Sequence, residues 1–93
     1  ADTRLAEAAL VDEDAPWLLR HQALLSLGAA GDVEATSVVI KALEDEVVRV
    51  RRVAFATLTS WYGEAVAFDP DAPKSDRKRQ AEAWRSWWMA QRR

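Results

Sequence analysis

The segment LRHQALLSL at residues 19–27 recurs 31 residues later as VRRVAFATL at residues 50–58. Both copies have an apolar residue, an arginine, an alanine three positions after the arginine, and a small residue followed by a leucine at the end. The preceding segments match too, since LAEAAL at residues 5–10 aligns with VVIKAL at residues 38–43 at an offset of 33. A unit of this length that holds two short helices is typical of a helical solenoid.

The composition agrees with a small helical domain. The chain has 93 residues, of which 49% are hydrophobic and 30% are charged, and this suits one domain with a modest core. Three glycines and three prolines are too few for a sandwich or barrel with many tight turns. Because the chain has no cysteine, it can form neither disulfides nor thiolate metal sites. The predicted fold class is all-α.

The spacing of apolar residues predicts five helices, at about residues 2–11, 15–27, 32–44, 45–62 and 75–91. A long loop precedes the last helix, because DPDAP at residues 69–73 favours turns. Phe68 in this loop is expected to pack against a neighbouring helix. The last helix is expected to carry an apolar side formed by Ala81, Trp84, Trp87 and Trp88.

Polar residues and glycines predict where the helices begin and end. Asp14 is predicted to cap the start of the second helix, and Asp32 the start of the third. Gly28 is expected to end the second helix, with Gly31 in the tight turn that follows. Gly63 is expected to end the fourth helix.

The repeated units resemble the HEAT-like repeat family, including its short bacterial form of the PBS-lyase type. The residues of one unit that match are Asp45, Val50, Arg51, Ala54 and Leu58, and those of the other are Leu19, Arg20, Ala23, Leu27, Gly28 and Asp32. Thr59 replaces the glycine in the later unit. The resemblance covers residues 1–62 well. It implies an all-α, HEAT-like α-solenoid fragment of about five helices in antiparallel helical hairpins.

The resemblance also implies how one domain over residues 1–93 is divided. Residues 1–12 would be the second helix of a truncated repeat, and residues 15–44 a full repeat. Residues 45–93 would be a diverged last repeat and cap, with a loop at residues 63–74. The chain would then be the C-terminal part of a larger protein.

The last segment is similar to the closing segment of many bacterial HEAT-like chains. The similarity lies in Phe68-Asp69-Pro70 and in the later Trp84-Arg85-x-Trp87-Trp88. A solenoid end has to hide the apolar face that no further repeat covers, and large rings do so with few residues. Trp84, Trp87 and Trp88 are therefore expected to form an aromatic C-terminal capping helix.

The resemblance assigns a structural role to two arginines. Arg20 and Arg51 stand at equivalent places in the two units. In HEAT-like folds such an arginine pairs with an aspartate of a turn and links neighbouring helices. The candidate aspartates are Asp14, Asp32 and Asp45.

The residues form no recognisable catalytic or metal-binding motif. The one histidine, His21, has no nucleophile or orienting group in a known arrangement, and its helical neighbours are not metal ligands. The acidic clusters at residues 12–14 and 44–46 precede helix starts, where carboxylates are stabilising, and they lack calcium-loop spacing. Glycine-rich phosphate loops are absent. The expectation is a protein that is not an enzyme and has no cofactor or metal.

The charge is unevenly distributed along the chain. Residues 1–73 carry a net charge of −7 and residues 74–93 a net charge of +5, which gives −2 for the whole chain. The basic end lies beside tryptophans, a combination that can bind single-stranded nucleic acid. However, the pI of about 5.3 and the shared helix face of the tryptophans argue against nucleic acid. An interfacial membrane helix is the other disfavoured hypothesis.

The function predicted is a non-catalytic module for protein–protein interaction or scaffolding. The expected partner is another protein or the upstream part of the parent chain, and weak self-association is a further possibility because a solenoid end exposes apolar surface. The sequence shows neither a signal peptide nor a transmembrane segment, and it leaves the compartment open. The expected binding surface consists of six polar side chains, Glu34, Ser37, Lys41, Arg77, Lys78 and Arg85.

Two alternatives remain open. The chain could be a purely structural solenoid cap with no ligand of its own. It could also assist an enzyme by binding a small molecule such as a bilin, because some HEAT-like proteins assist the attachment of bilins and the tryptophans could line a slot.

Overall fold

The computed structural model describes residues 3–12 and 14–92, and every regular element in this part of the chain is helical. The all-α prediction is therefore confirmed. The predicted start of the first helix, Asp2, lies outside the described residues. The helices are α1 (Arg4–Val11), α2 (Trp17–Ala30), α3 (Thr36–Ala42), α4 (Val48–Tyr62) and α5 (Lys74–Gln91). A short 3-10 turn (Val33–Ala35) precedes α3.

One core joins α2, α3, α4 and α5. α1 contacts α2 and α3, α2 contacts α4, and α3 contacts both α4 and α5. The radius of gyration of the Cα atoms is 12.1 Å, close to the value of about 12 Å for a compact domain of this length. None of the residues of α1 is buried, although Ala6 and Leu10 pack against the core. The largest completely buried side chains are Trp84, Leu24, Leu27, Ile40, Leu43, Leu58, Val39, Val50 and Thr36.

α2 is longer than predicted, because it passes through Gly28 and ends at Ala30. Gly31 follows in the left-handed conformation with φ 65°, and its N–H donates to the carbonyls of Leu27 and Gly28. The prediction that Gly28 ends this helix is therefore wrong. A Cβ atom at Gly28 would lie 3.6 Å from Oγ1 of Thr57 on α4, which is an ordinary van der Waals contact.

Two predicted caps are also wrong. Pro16, and not Asp14, occupies the cap position of α2, and the exposed Asp14 donates its own backbone N–H to Oδ1 of Asp12. Asp32 precedes the 3-10 turn and makes no side-chain cap bond to it, and α3 begins only at Thr36. The predicted end of α4 at Gly63 is confirmed, since Gly63 follows Tyr62 with φ 70°.

The loop between α4 and α5, residues 63–73, returns along α4. Phe68 packs on Phe55 with 5.7 Å between ring centroids, and the carbonyl of Pro70 accepts a hydrogen bond from Arg51 near the start of α4. Phe68 is only 7% exposed, so its predicted packing against a helix is confirmed. α5 therefore begins beside the first turns of α4.

α5 then runs in the same direction as α4. Trp84 contacts Phe55 in the middle of α4, and Trp87 contacts Tyr62 at its end. The expected antiparallel hairpins are therefore not confirmed, and for this pair the ring contacts follow the same order along both helices. The physical reason is the loop, because eleven residues are long enough to span a helix of fifteen residues, about 22 Å in length.

Six rings form a continuous aromatic row between α4, the loop and α5. Neighbouring ring centroids lie 5.3–6.4 Å apart, and most pairs meet edge to face, the favoured arrangement of aromatic rings. Trp84 is completely buried, whereas Trp87 and Trp88 are half-buried against the core. The aromatic row consists of Phe68, Phe55, Trp84, Trp87, Tyr62 and Trp61.

Alanine is expected to have opposite effects at the two glycines near the end of α2. Gly31→Ala should lower the free energy of unfolding by about 1–2 kcal/mol, because alanine disfavours the left-handed conformation. Gly28→Ala should raise it by about 0.5–1 kcal/mol, because Gly28 is helical and has room for a methyl group. Urea unfolding followed by circular dichroism measures both changes. Equal destabilisation by the two variants would contradict the assignment of Gly31, and not Gly28, as the left-handed residue that ends α2.

Trp84→Ala is expected to lower the free energy of unfolding by about 3–5 kcal/mol, because it removes a completely buried ring from the core. Trp88→Ala is the matched control and should cost clearly less, since Trp88 is half-buried and stacks with Arg92. Thermal and urea unfolding of both variants measure the difference. An unchanged melting temperature for Trp84→Ala would contradict the buried position of this ring.

Candidate functional site

The turn between α3 and α4 is held by a bidentate ion pair. Nε and Nη2 of Arg20 donate to the two carboxylate oxygens of Asp45 at 2.7 and 3.0 Å, and Nη1 donates to the carbonyl of Ala15. Oδ1 of Asp45 also accepts the backbone N–H of Val47, just before α4 begins. The side chains of Arg20 and Asp45 are only 16% and 10% exposed. Arg20 thus joins the loop before α2 to the turn before α4.

Arg51 reaches the same turn without using a carboxylate. It is 7% exposed and donates to the carbonyls of Asp45 at 2.8 Å, Glu46 at 3.0 Å and Pro70 at 2.9 Å. The expectation that Arg51 pairs with an aspartate is therefore wrong. The reason is its position one turn inside α4, where it faces the carbonyl groups of the turn.

Of the three candidate aspartates, only Asp45 pairs with one of these arginines. Asp14 is exposed, and Asp32 accepts a hydrogen bond from the hydroxyl of Thr3. The Thr3–Asp32 contact ties the start of α1 to the segment before α3. Asp32 therefore has a structural role, but it acts through its hydrogen bond with Thr3 and not through Arg20 or Arg51.

The two arginines differ in their electrostatic environment. The hydrogen bond that Arg20 donates to Asp45 raises the pKa of Arg20, and the negative charge of that carboxylate adds to the effect. Burial lowers the pKa of Arg51, and the nearby positive charge of Arg77 lowers it further. Arginine keeps its charge at neutral pH in both cases. Positive charge is thus concentrated where the starts of α4 and α5 lie close together.

An open groove, called here the acidic groove, lies between the end of α1 and the turn after α3. Its volume is about 550 Å³. Asp12, Glu44 and Glu46 are exposed along it, and Lys41 is the exposed cation. The lining residues are Leu10, Val11, Asp12, Arg20, Lys41, Ala42, Glu44, Asp45 and Glu46. The acidic residue Glu13 lies outside the described residues.

A second groove of about 410 Å³, called here the basic groove, lies between that turn and the first turns of α5. Its lining residues are Glu44, Lys74, Ser75, Arg77 and Lys78. Nε of Arg77 is buried and has no hydrogen-bond acceptor among the described residues. Glu44 lines both grooves, so the acidic and basic grooves form one continuous surface.

The structure brings together only part of the predicted binding surface. Lys41 lines the acidic groove, while Arg77 and Lys78 line the basic groove. Arg85 lies further along α5, in an open depression that it shares with Glu82, Ser86 and Met89. Glu34 and Ser37 are exposed near the start of α3, outside these three depressions.

Sequence reasoning missed Glu44 and Lys74 as parts of a surface. The signal was weak, because Glu44 follows α3 in sequence while Lys74 is 30 residues later, after the long loop. Only the return of that loop along α4 brings the two residues to one groove. The one sequence feature that indicated the basic groove was the difference in net charge between residues 1–73 and residues 74–93.

The histidine and the acidic residues were the other groups considered for chemistry from the sequence. Nδ1 of His21 is buried without a hydrogen-bond partner there, and the ring meets Trp17 edge to face at 6.2 Å. In residues 3–12 and 14–92, no three histidine, aspartate or glutamate side chains are grouped as a metal site requires. None of the helices described is long and apolar enough to span a membrane.

Comparison with protein-family models, with curated proteins and with solved structures gives no match to this chain.

Asp45→Ala is expected to lower the free energy of unfolding by about 3 kcal/mol, because it leaves the guanidinium of Arg20 without its carboxylate in a largely buried site. Asp71→Ala is the matched control, since Asp71 pairs with Arg52 at 3.1 Å but both side chains are more than half exposed. The control should cost less than about 1 kcal/mol. Urea unfolding measures both values, and similar costs would show that the Arg20–Asp45 pair does not hold the turn.

Proposed function

We propose that the chain is a HEAT-like helical-repeat module that binds another protein and catalyses no reaction. Its binding surface is the continuous surface of the acidic and basic grooves, extended by Glu34 and Ser37 near the start of α3 and by Arg85 on α5. The observation that carries the proposal is this surface, in which two open grooves of opposite charge meet at Glu44. The proposal is for a protein partner because mixed charge in open grooves suits a polar and specific interface.

The repeat assignment has two supports. Arg20 and Arg51, which stand at equivalent places in the two repeated segments, bind the same turn. The helix contacts agree with two rows, in which α1, α3 and α5 follow one another and α2 lies beside α4. Residues 1–12, 15–44 and 45–93 would then be a partial repeat, a full repeat and a diverged last repeat. The reversed direction of α5 is a departure from a regular repeat.

The rigidity of the turn supports its use in binding. Arg20 and Arg51 fix the turn between α3 and α4 from both sides, so Lys41, Glu44 and Glu46 are presented on a backbone that needs little ordering. A surface that is already ordered loses less conformational entropy when a partner binds. The charged residues at its edge would mainly select and orient the partner.

A purely structural cap is the second candidate, and the aromatic row favours it. Trp84 is completely buried, and its ring contacts Phe55 and Trp87, so the rings close an apolar surface. The same burial speaks against the bilin-binding alternative, because a completely buried Trp84 does not line an open slot. The exposed Leu5 and Val11 of α1 offer apolar surface to an upstream segment or to a second copy.

Affinity capture with surface variants tests the binding function. The immobilised chain is exposed to nuclease-treated lysate, and retained proteins are identified by mass spectrometry. The surface variant Lys41→Glu/Lys78→Glu/Arg85→Glu should lose the protein that the unmodified chain retains, because three attractive charges become repulsive. The control Arg49→Glu/Arg52→Glu/Arg79→Glu changes the net charge equally and should retain it.

Circular dichroism first verifies that both triple variants are folded. Retention of the same protein by the surface variant would place the interface elsewhere and overturn the proposed surface. Absence of any protein that depends on the folded chain would favour the structural cap.

A further inference from the structure

We infer that the basic groove binds an acidic peptide segment of the partner protein, with Arg77 and Lys78 contacting its carboxylates. This inference rests on the proposed function and specifies the chemistry of the partner at one part of the same surface.

The cations of the basic groove have no ion-pair partner among the described residues. No ion pair joins Lys74, Arg77 or Lys78 to a carboxylate in the described part of the chain. The nearest acidic residue in sequence, Asp76, pairs with Arg79 at 2.9 Å. A cluster of cations that the fold leaves unpaired favours an anionic ligand.

Arg77 gives the groove a specific binding group. Its Nε–H is buried and lacks an acceptor among the described residues, although the side chain as a whole is only partly buried. Nε is the only nitrogen of this guanidinium that is buried without an acceptor among the described residues, so the two terminal nitrogens remain available to a ligand. Guanidinium groups also bind carboxylates with two parallel hydrogen bonds, so Arg77 would position the ligand as well as attract it.

The shape of the groove suits a peptide better than a free anion. Its volume of about 410 Å³ is large enough for side chains of two or three residues. Its walls are mostly apolar, and the carbon stems of Lys74, Arg77 and Lys78 can supply such surface. A segment in which apolar side chains alternate with carboxylates matches both features.

Nucleic acid fits this surface less well. Glu44 stands on the wall of the basic groove, and the acidic groove with Asp12 and Glu46 lies directly beyond it. These carboxylates would repel a continuous phosphate backbone, whereas a short peptide can end before them. Single strands also need exposed rings for base stacking, and none of the described residues that line the basic groove is aromatic.

An NMR titration of the ¹⁵N-labelled chain tests the inference. The probe is the capped peptide Glu-Leu-Glu-Asp-Leu-Glu, and its neutral counterpart contains glutamine and asparagine in place of the acidic residues. The acidic peptide should produce saturable shifts in the backbone amides of Glu44 and residues 74–78. The neutral peptide should produce none there.

Matched variants identify the groups that bind. Arg77→Gln/Lys78→Gln should weaken the peptide about tenfold, which corresponds to about 1.4 kcal/mol of binding free energy. Arg49→Gln/Arg52→Gln removes the same charge from α4 and should leave the affinity unchanged. Equal weakening by both variants would show a general charge effect and overturn the inference.

The other outcomes are also decisive. Absence of saturable shifts at these amides at millimolar peptide overturns the inference. If an oligothymidylate binds the same residues more tightly than the peptide, the ligand is a nucleic acid. If the chain associates with itself without peptide, in a concentration-dependent way that shifts these amides, the ligand is a second copy of the chain. If the peptide fails but the captured protein is still lost with the surface variant, the proposed function stands and only the acidic ligand is wrong.

Discussion

The turn at Asp45 is the interaction on which the rest of the structure depends. Arg20 of α2 binds the carboxylate of Asp45, and Arg51 of α4 binds the backbone carbonyl of Asp45. The same two arginines reach the loop before α2 and the loop after α4, through the carbonyls of Ala15 and Pro70. One buried and one largely buried guanidinium group therefore join three separate loops and turns. Apolar packing alone, which has no direction, would not fix these segments relative to one another.

The helices were predictable from sequence because apolar periodicity and terminal glycines act locally. The buried residues Val39, Leu43, Val50 and Leu58 lie on the predicted stripes. The errors arose where a tertiary contact decided the outcome. Gly28 is a good helix terminator by itself, but it packs beside Thr57 of α4 within a helix that continues to Ala30. The direction of α5 depends on how the loop lies on α4, and the composition of the loop does not encode that.

The candidate site was predictable in its residue types but only partly in its geometry. The repeated arginines indicated structural roles, and the charge difference along the chain indicated a basic end. Which aspartate pairs with Arg20 depends on the positions of two turns, and the sequence left three candidates open. The meeting of the two grooves at Glu44 depends on the reversed α5, which brings Lys74 and Arg77 to the end of α3. Local patterns carry no information about such a contact between distant segments.

The shared direction of α4 and α5 has an electrostatic consequence. Neighbouring helices that run in opposite directions largely cancel each other's dipoles, but these two helices add theirs. Each N-terminus contributes about half a positive elementary charge. Both lie close to Arg51 and Arg77, so the backbone itself strengthens the positive potential at this end of the molecule. An anionic molecule approaching by diffusion would be oriented by this field before any contact forms, and lower ionic strength would extend that effect to longer range.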